Sequence, residues 1–269
     1  MPELPEMENY KLQLSSLITN KPITSVTVNR EKSINTSTKQ FIEAVENTTI
    51  VRIERRAKHL LFYLSNKKIL LLHLMLGGWM FYGTEDEKPK RTIQIQLSFG
   101  NKHLFFIGLR LGYLHLLSVE QCETELEDLG PEPLYDGFTE SDFLEHISHK
   151  RGNLKLKLVD QHFLSGIGNC YSDEICYDAR ILPTRKIEEL EPKEQKNLYQ
   201  SIRRILQSAI SIGGYMEHPL YHNDEKTGSY NDECKVYDME GAICSRCQHK
   251  VVFIELSSKK CFYCPGCQK

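Results

Sequence analysis

No apolar run in this chain approaches the roughly 20 residues needed to cross a bilayer, so a transmembrane helix is not expected. Charge of one sign is not in excess either: 34 Lys plus Arg stand against 36 Asp plus Glu, a formal net charge of −2. Such a balance makes no global electrostatic case for a polyanionic partner, and any nucleic-acid surface has to come from local clustering. A secretory signal is missing too, which points to an intracellular, cytoplasmic protein and disfavours a disulfide framework for the nine cysteines. What is present is a globular composition, 40% hydrophobic and 26% charged over 269 residues, enough for two domains and a small module.

The cysteines carry the strongest local signal. Cys244-x-x-Cys247 and Cys264-x-x-Cys267 are separated by 16 residues, in which Val251–Leu256 reads as a strand and Ser257–Lys260 as a basic turn. Two close thiolate pairs on a hairpin make a closed tetrahedral site for one structural zinc ion. Cys261 forms a second possible pair with Cys264, so the ligand set stays open at this point. Cys122, Cys170, Cys176 and Cys234 are scattered and read as small buried apolar residues.

Organisation changes near residue 135. Before it, Val51–Arg56, Leu60–Leu64, Ile69–Leu76, Ile93–Phe99, His103–Ile107 and Tyr113–Leu117 are short strand-like runs between turns, an antiparallel sandwich pattern. Thr84–Arg91 is a charge-rich loop. After residue 135, Phe143–Ile147, Asn153–Leu164, Asn169–Ala179 and Glu191–Ile212 read as helices. Ser165-Gly166-Ile167-Gly168 leaves room only for tight turns between two of them, and Asn169 sits either as a plain helix start or where backbone amides face an anion. His218–Glu233 is polar and glycine-containing, a candidate lid. The fold class expected is α+β, with an N-terminal β-sandwich domain over 1–134, a helix-two-turn-helix domain over 135–233 and a zinc finger over 234–269.

At the amino end, Leu4, Met7, Lys11, Leu14 and Ile18 recur at helical spacing after Met1-Pro2-Glu3. Pro2 is either an ordinary helix-start proline or, once the initiator methionine is removed, a secondary amine able to attack a carbonyl carbon, with Glu3 beside it to move protons. Arg52, Arg55, Arg56 and Lys58 form a local basic cluster that is either a phosphate contact or a solvated strand face.

Four separated segments in order resemble the formamidopyrimidine-DNA glycosylase/endonuclease VIII superfamily: Met1-Pro2-Glu3-Leu4-Pro5-Glu6-x-Glu8; Leu129-Gly130-Pro131-Glu132-Pro133-Leu134; Asp160-Gln161 through Gly166-Ile167-Gly168-Asn169-x-Tyr171-x-x-Glu174; and Phe262-Tyr263-Cys264-Pro265-Gly266-Cys267-Gln268. The resemblance implies a bilobal, monomeric, bacterial repair enzyme of cytoplasm and nucleoid that clamps damaged double-stranded DNA. It implies Pro2 as the nucleophile toward C1′, Glu3 as proton donor and Lys58 as the active-site lysine, with Schiff-base lyase chemistry after a flipped base is excised. Glu6, His73, Leu76, Lys155 and Asn169 then fall at DNA, His73 before the wedge loop and Leu76 as the wedge.

Departures from the family pattern concern substrate more than chemistry. Where the formamidopyrimidine branch reads Asp-Pro-Arg-Arg-Phe-Gly, this chain has Ile107-Gly108-Leu109-Arg110-Leu111-Gly112. Arg110 remains as a phosphate contact, Leu111 replaces the aromatic wedge, and Leu109 stands where an Arg would read the base opposite the lesion, so choice of that base is expected to weaken. Lys259 replaces the arginine of the finger, keeping charge without the planar fork. The expected function is excision of an oxidised, ring-opened or alkylated purine, with lyase activity through Pro2. Alternatives are a specialised glycosylase for alkylated or bulky purines with little lyase activity or partner preference, a non-catalytic damaged-DNA binder, and, more remotely, a plain zinc transcription-type protein.

Overall fold

A computed structural model describes residues 1–269. It is α+β, as the strand and helix patterns imply, and the chain forms two compact units, Met1–Asp128 with Ile212–Ser229 and Leu129–Ser211 with Tyr230–Lys269. The three consecutive segments expected from sequence are thus replaced by two units that exchange chain. Leu220 is the reason in the first unit: it is fully buried in the sandwich core, and its carbonyl accepts the Tyr82 N–H at 2.5 Å. The expected lid is therefore anchored at this point. Asp224 ties it further, accepting from the N–H groups of Leu220, Lys226 and Thr227.

The first unit contains α1 (Leu4–Ile18), β1 (Ser25–Val28), α2 (Thr38–Val45), β2 (Ile50–Arg56), β3 (His59–Leu64), β4 (Ile69–His73), β5 (Trp79–Gly83), β6 (Ile93–Phe99), β7 (Lys102–Ile107), β8 (Tyr113–Leu117) and α3 (Val119–Leu126). Two antiparallel four-stranded sheets result, ordered β1-β6-β7-β5 and β2-β3-β4-β8. Period-two alternation sends Ile95, Leu97, Leu104 and Phe106 of one sheet and Leu60, Phe62, Leu70 and Leu72 of the other into a single core. Each such side chain contributes roughly 1.5–3 kcal/mol on burial. The α1 stripe joins that core through Met7, Tyr10, Leu14 and Ile18. Tyr10, not the expected Lys11, completes the spacing, because the Lys11 ammonium turns out to pair with Glu8 at 2.7 Å.

The second unit contains α4 (Glu140–Ser148), α5 (Leu154–Val159), α6 (Asn169–Ala179), α7 (Pro192–Ser211) and the hairpin β9 (Val252–Leu256) and β10 (Lys259–Tyr263). Helix α5 stops at Val159 and not at Leu164, since Asp160 takes extended dihedrals and its carboxylate accepts the His162 N–H. Gln161 then shapes the two turns: its amide donates to the Val159 and Ile167 carbonyls and accepts the Gly166 N–H. Gly130 permits the connecting segment between α3 and α4 to come close to these turns, for a Cβ there would lie 2.6 Å from the His162 carbonyl.

Candidate active site and metal centre

Glu3 is the cap residue of α1. Its N–H donates to Glu6 Oε2 at 2.7 Å in a reciprocal capping box, and Glu6 Oε1 accepts the Tyr215 N–H at 2.9 Å. Gly214 permits that approach: its φ is +76°, and a Cβ would stand 2.3 Å from Glu6 Oε1. The Tyr215 hydroxyl donates to the Met1 carbonyl. Pro2, Glu3 and Glu6 are all buried at this corner. Glu6, expected at DNA, is instead an internal strut, because both carboxylate oxygens are taken by backbone N–H groups.

Lys58 lies in the β2–β3 turn, where Ala57 has a φ of 53°. Arg55 fastens this turn to α1, its Nε 2.7 Å from Glu8 Oε2 and its Nη1 3.1 Å from the Ala57 carbonyl. Arg52 pairs with Glu54 and lies 3.6 Å over the Tyr63 ring. Arg55 is thus engaged within the protein and Arg52 with surface neighbours, and Lys58, itself buried, is a positioned cation. Across the sheet, His59, His73 and Tyr113 occupy facing register positions, the two imidazoles 4.2 Å apart. Burial first, then the neighbouring His73, pushes His59 down to about 3; burial and the Lys58 charge bring His73 to about 4. Both rings are neutral at pH 7, which leaves Lys58 as the positive charge of the group. His73, expected to touch DNA, is a half-buried member of this cluster. Its partners His59 and Tyr113 were not singled out from sequence, since only strand register brings them together.

Strand β4 ends at His73, short of the expected Leu76, because Met75 and Gly77 take left-handed dihedrals and start a loop. Two loops then meet backbone to backbone. A Cβ on Gly108 would lie 2.0 Å from the Gly77 carbonyl, and one on Gly112 2.4 Å from that of His73. This contact brings together Leu76, Arg110 and Leu111, which line a recess of about 570 Å³ with Trp79, Gln94 and His218. Leu76 and Leu111 are 67% and 64% exposed. Leu109 points the other way and is fully buried in the core, so its expected place beside a base does not hold; its carbonyl accepts the Ser33 hydroxyl at 3.0 Å.

In the second unit Lys155 is fully buried, its Nζ 2.6 Å from Asp173 Oδ1 and 2.8 Å from the Asn169 carbonyl. That burial removes it from the DNA-facing role expected of it. Asp173 Oδ2 also accepts the Phe262 N–H, so one carboxylate links α5, α6 and β10. Burial drives the Asp173 carboxyl up to about 7 against the pull of Lys155. Glu174 likewise accepts the N–H groups of Lys235, Val236 and Tyr237. Asn169 opens α6. Exposed Lys259 lines an open recess of about 640 Å³ with Lys157, Gln161 and His162, residues around the two turns.

The four cysteines Cys244, Cys247, Cys264 and Cys267 have all Sγ atoms within 4.8 Å of one another, with Cys247–Cys264 at 3.3 Å and Cys244–Cys267 at 3.8 Å. Thiolates about 2.3 Å from a tetrahedral ion stand about 3.8 Å apart, so the donor set and its spacing fit one metal ion in a zinc-finger arrangement. Cys261 is excluded from that set and is buried, as are Cys122, Cys170, Cys176 and Cys234.

The family description "Formamidopyrimidine-DNA glycosylase N-terminal domain" matches residues 1–113, and "Formamidopyrimidine-DNA glycosylase H2TH domain" matches residues 129–218. The formamidopyrimidine-DNA glycosylase of Listeria monocytogenes is 33% identical over 273 residues, and that of Carboxydothermus hydrogenoformans 34% over 271, each alignment covering 100% of both chains. Among solved structures, Lactococcus lactis Fpg in complex with an abasic-site DNA superposes with a TM-score of 0.92 at 30% identity, covering 99% of each chain. A complex of the same enzyme with DNA containing an oxidised pyrimidine gives 0.91 at 30% identity, covering 100% of each. Fold, cysteine site and whole-length sequence agree: this chain is a DNA glycosylase and belongs to the formamidopyrimidine-DNA glycosylase family.

Proposed function

We propose that this enzyme excises an oxidised, ring-opened or alkylated purine flipped from duplex DNA and then cleaves the abasic strand through an imine on Pro2. The observation that carries the reading is the α1 corner, where Pro2 and Glu3 are buried on a helix start fixed by Glu6, with the Lys58 turn fastened to the same helix through Arg55. A group that acts as a nucleophile must be desolvated and aimed, and burial at a fixed helix start favours both for the Pro2 amine once Met1 is removed.

In that reaction the Pro2 nitrogen bonds C1′ as the glycosidic bond breaks and the base leaves with a proton. Glu3 protonates the sugar oxygen as the ring opens to an iminium. Loss of a C2′ proton then expels the 3′ phosphate, and a further elimination expels the 5′ phosphate. Lys58 supplies fixed positive charge beside the reacting sugar. Leu76 fills the space left by the flipped base, while Arg110, Asn169 and Lys259 hold the phosphate backbone. The DNA-binding part is the helix-two-turn-helix with the cysteine hairpin, the latter holding one structural zinc ion.

The test is borohydride trapping on duplexes containing an abasic site, 8-oxoguanine, a ring-opened purine, 7-alkylguanine or an oxidised pyrimidine, with base release followed in parallel. An adduct on the abasic site is expected, and the fastest release names the lesion. Release of alkylated purine with no adduct would favour the specialised, lyase-poor alternative; tight binding with neither would leave a non-catalytic binder.

Removal of the metal has its own expected result. Chelation, or Cys264→Ser, loosens the β9–β10 hairpin and lowers affinity for damaged duplex, while the near-ultraviolet signature of the sandwich aromatics stays. Undiminished affinity after metal loss would show that the hairpin is not a DNA contact.

A further inference from the structure

Gln94 is the residue in the recess that the reaction scheme leaves without a task. It sits at a break in register between β6 and β7, where Ile93 pairs with Ile107 and Ile95 with Phe106, leaving Gln94 as the extra residue. A bulge of this kind turns a side chain away from the regular alternation. Gln94 is 5% exposed and lines the recess with Leu76, Arg110 and Leu111. Its Oε1 accepts the Leu109 N–H at 3.2 Å, and this is its one side-chain hydrogen bond. That bond fixes which way the amide points, and Nε2 has no partner in the protein although the residue is almost wholly buried. That nitrogen keeps contact with solvent at the recess, so a group that enters can take its hydrogens in place of water.

The surroundings define what enters. The exposed leucines Leu76 and Leu111 give apolar walls, Trp79 stacked on His218 at 4.6 Å gives a flat aromatic one, and Arg110 brings positive charge at the rim. This combination suits an unstacked nucleobase on a phosphate chain. Flipping a damaged nucleotide leaves one such base, its former partner, with an unpaired Watson–Crick edge.

We infer that Gln94 reads the base opposite the lesion, donating from Nε2 in a site where Leu109 cannot donate from its side chain. With one lone pair of Oε1 held by the Leu109 N–H, the uncommitted group of the amide is its Nε2 donor. Cytosine is the base whose Watson–Crick edge presents two adjacent acceptors, O2 and N3; thymine and guanine carry a hydrogen at the central ring position, and adenine sets an amino donor beside its acceptor. The enzyme therefore retains a preference for cytosine opposite the lesion, by a route that passes through β6 and not through the loop. The inference rests on the glycosylase reading proposed above.

The test compares the parent enzyme with Gln94→Glu, which keeps an acceptor for the Leu109 N–H and replaces the donor with an acceptor. Strand cleavage and equilibrium binding are measured on one abasic site opposite C, T, A, G or a missing base. The parent should favour C by about tenfold to a hundredfold, the variant should lose that ratio, and the two should match opposite a missing base. A parent without preference, or a variant that keeps it, overturns the role of Gln94 while cleavage itself leaves the glycosylase reading standing. Absence of cleavage on every duplex counts against that reading, and the binding series still decides Gln94: an affinity order that is flat in the parent, or unchanged in the variant, overturns it.

Discussion

Replacing Pro2 by Gly should reduce borohydride-trapped adduct on abasic-site duplex by about a hundredfold, the scale on which a loosened reacting group loses rate, while affinity for the same duplex stays largely intact. The ring of Pro2 fixes its dihedral and holds its nitrogen at the buried head of α1, next to a Glu3 whose N–H is locked by Glu6. Glycine leaves an amine there but frees its direction. A sharper form of the experiment appends residues before Pro2 so that its nitrogen stays in a peptide bond; an amide nitrogen is not a nucleophile, and trapping should vanish. Adduct formed at the parental rate by the extended protein would transfer the nucleophile to another amine, with Lys58 the first to examine.

Lys155→Met should be the most damaging single change in the second unit, costing about 3–5 kcal/mol in urea unfolding. It strands the Asp173 carboxyl at a fully buried position between α6 and β10, with the Phe262 N–H and the Cys261 thiol as its remaining partners. Adding Asp173→Leu should restore much of the loss, since an apolar pair of similar size has no charge to desolvate. The sign of the pH dependence follows from Asp173. Its folded value, about 7, lies above the ordinary carboxylate range, so its contribution is full below the unfolded value and is lost as the pH rises through the folded one. The single variant should accordingly be weaker at pH 8 than at pH 5. Equal stability of single variant and parent would mean that the buried pair does not brace this unit.

The segments legible in advance were those with strong local periodicity or spacing. Strands β6 and β8 and helix α6 have the bounds expected of them, and the two Cys-x-x-Cys pairs supply the metal donors without Cys261. Four elements escaped, β1, β5, α2 and α3, and β10 begins at Lys259, inside the stretch expected to be a turn. The two helices did carry a readable signal, a Ser-x-x-Gln capping box at Ser37/Gln40 and at Ser118/Gln121. By contrast, β1 is four residues long, and β5 reads Trp79-Met80-Phe81-Tyr82-Gly83 with no alternation to mark it.

For the site the division is of another kind. Residue type and spacing were enough for the family, the fold class, the four clustered cysteines and the presence of a proline beside a carboxylate, because those depend on neighbours a few residues apart. Burial and register were not accessible from spacing. Glu6, Lys155 and Leu109 resemble surface contacts by position in a motif, yet each is turned inward by a partner distant in sequence: Tyr215 for Glu6, Asp173 for Lys155, the sandwich core for Leu109. The assembly of Leu76, Arg110, Leu111 and Gln94 around one recess likewise depends on glycine-enabled backbone contact and a bulge, features that exist only once strands have paired. Sequence alone determined which chemistry the chain can carry; the tertiary structure decided which side chains face it, because a side chain's direction is set by pairings its own neighbours do not encode.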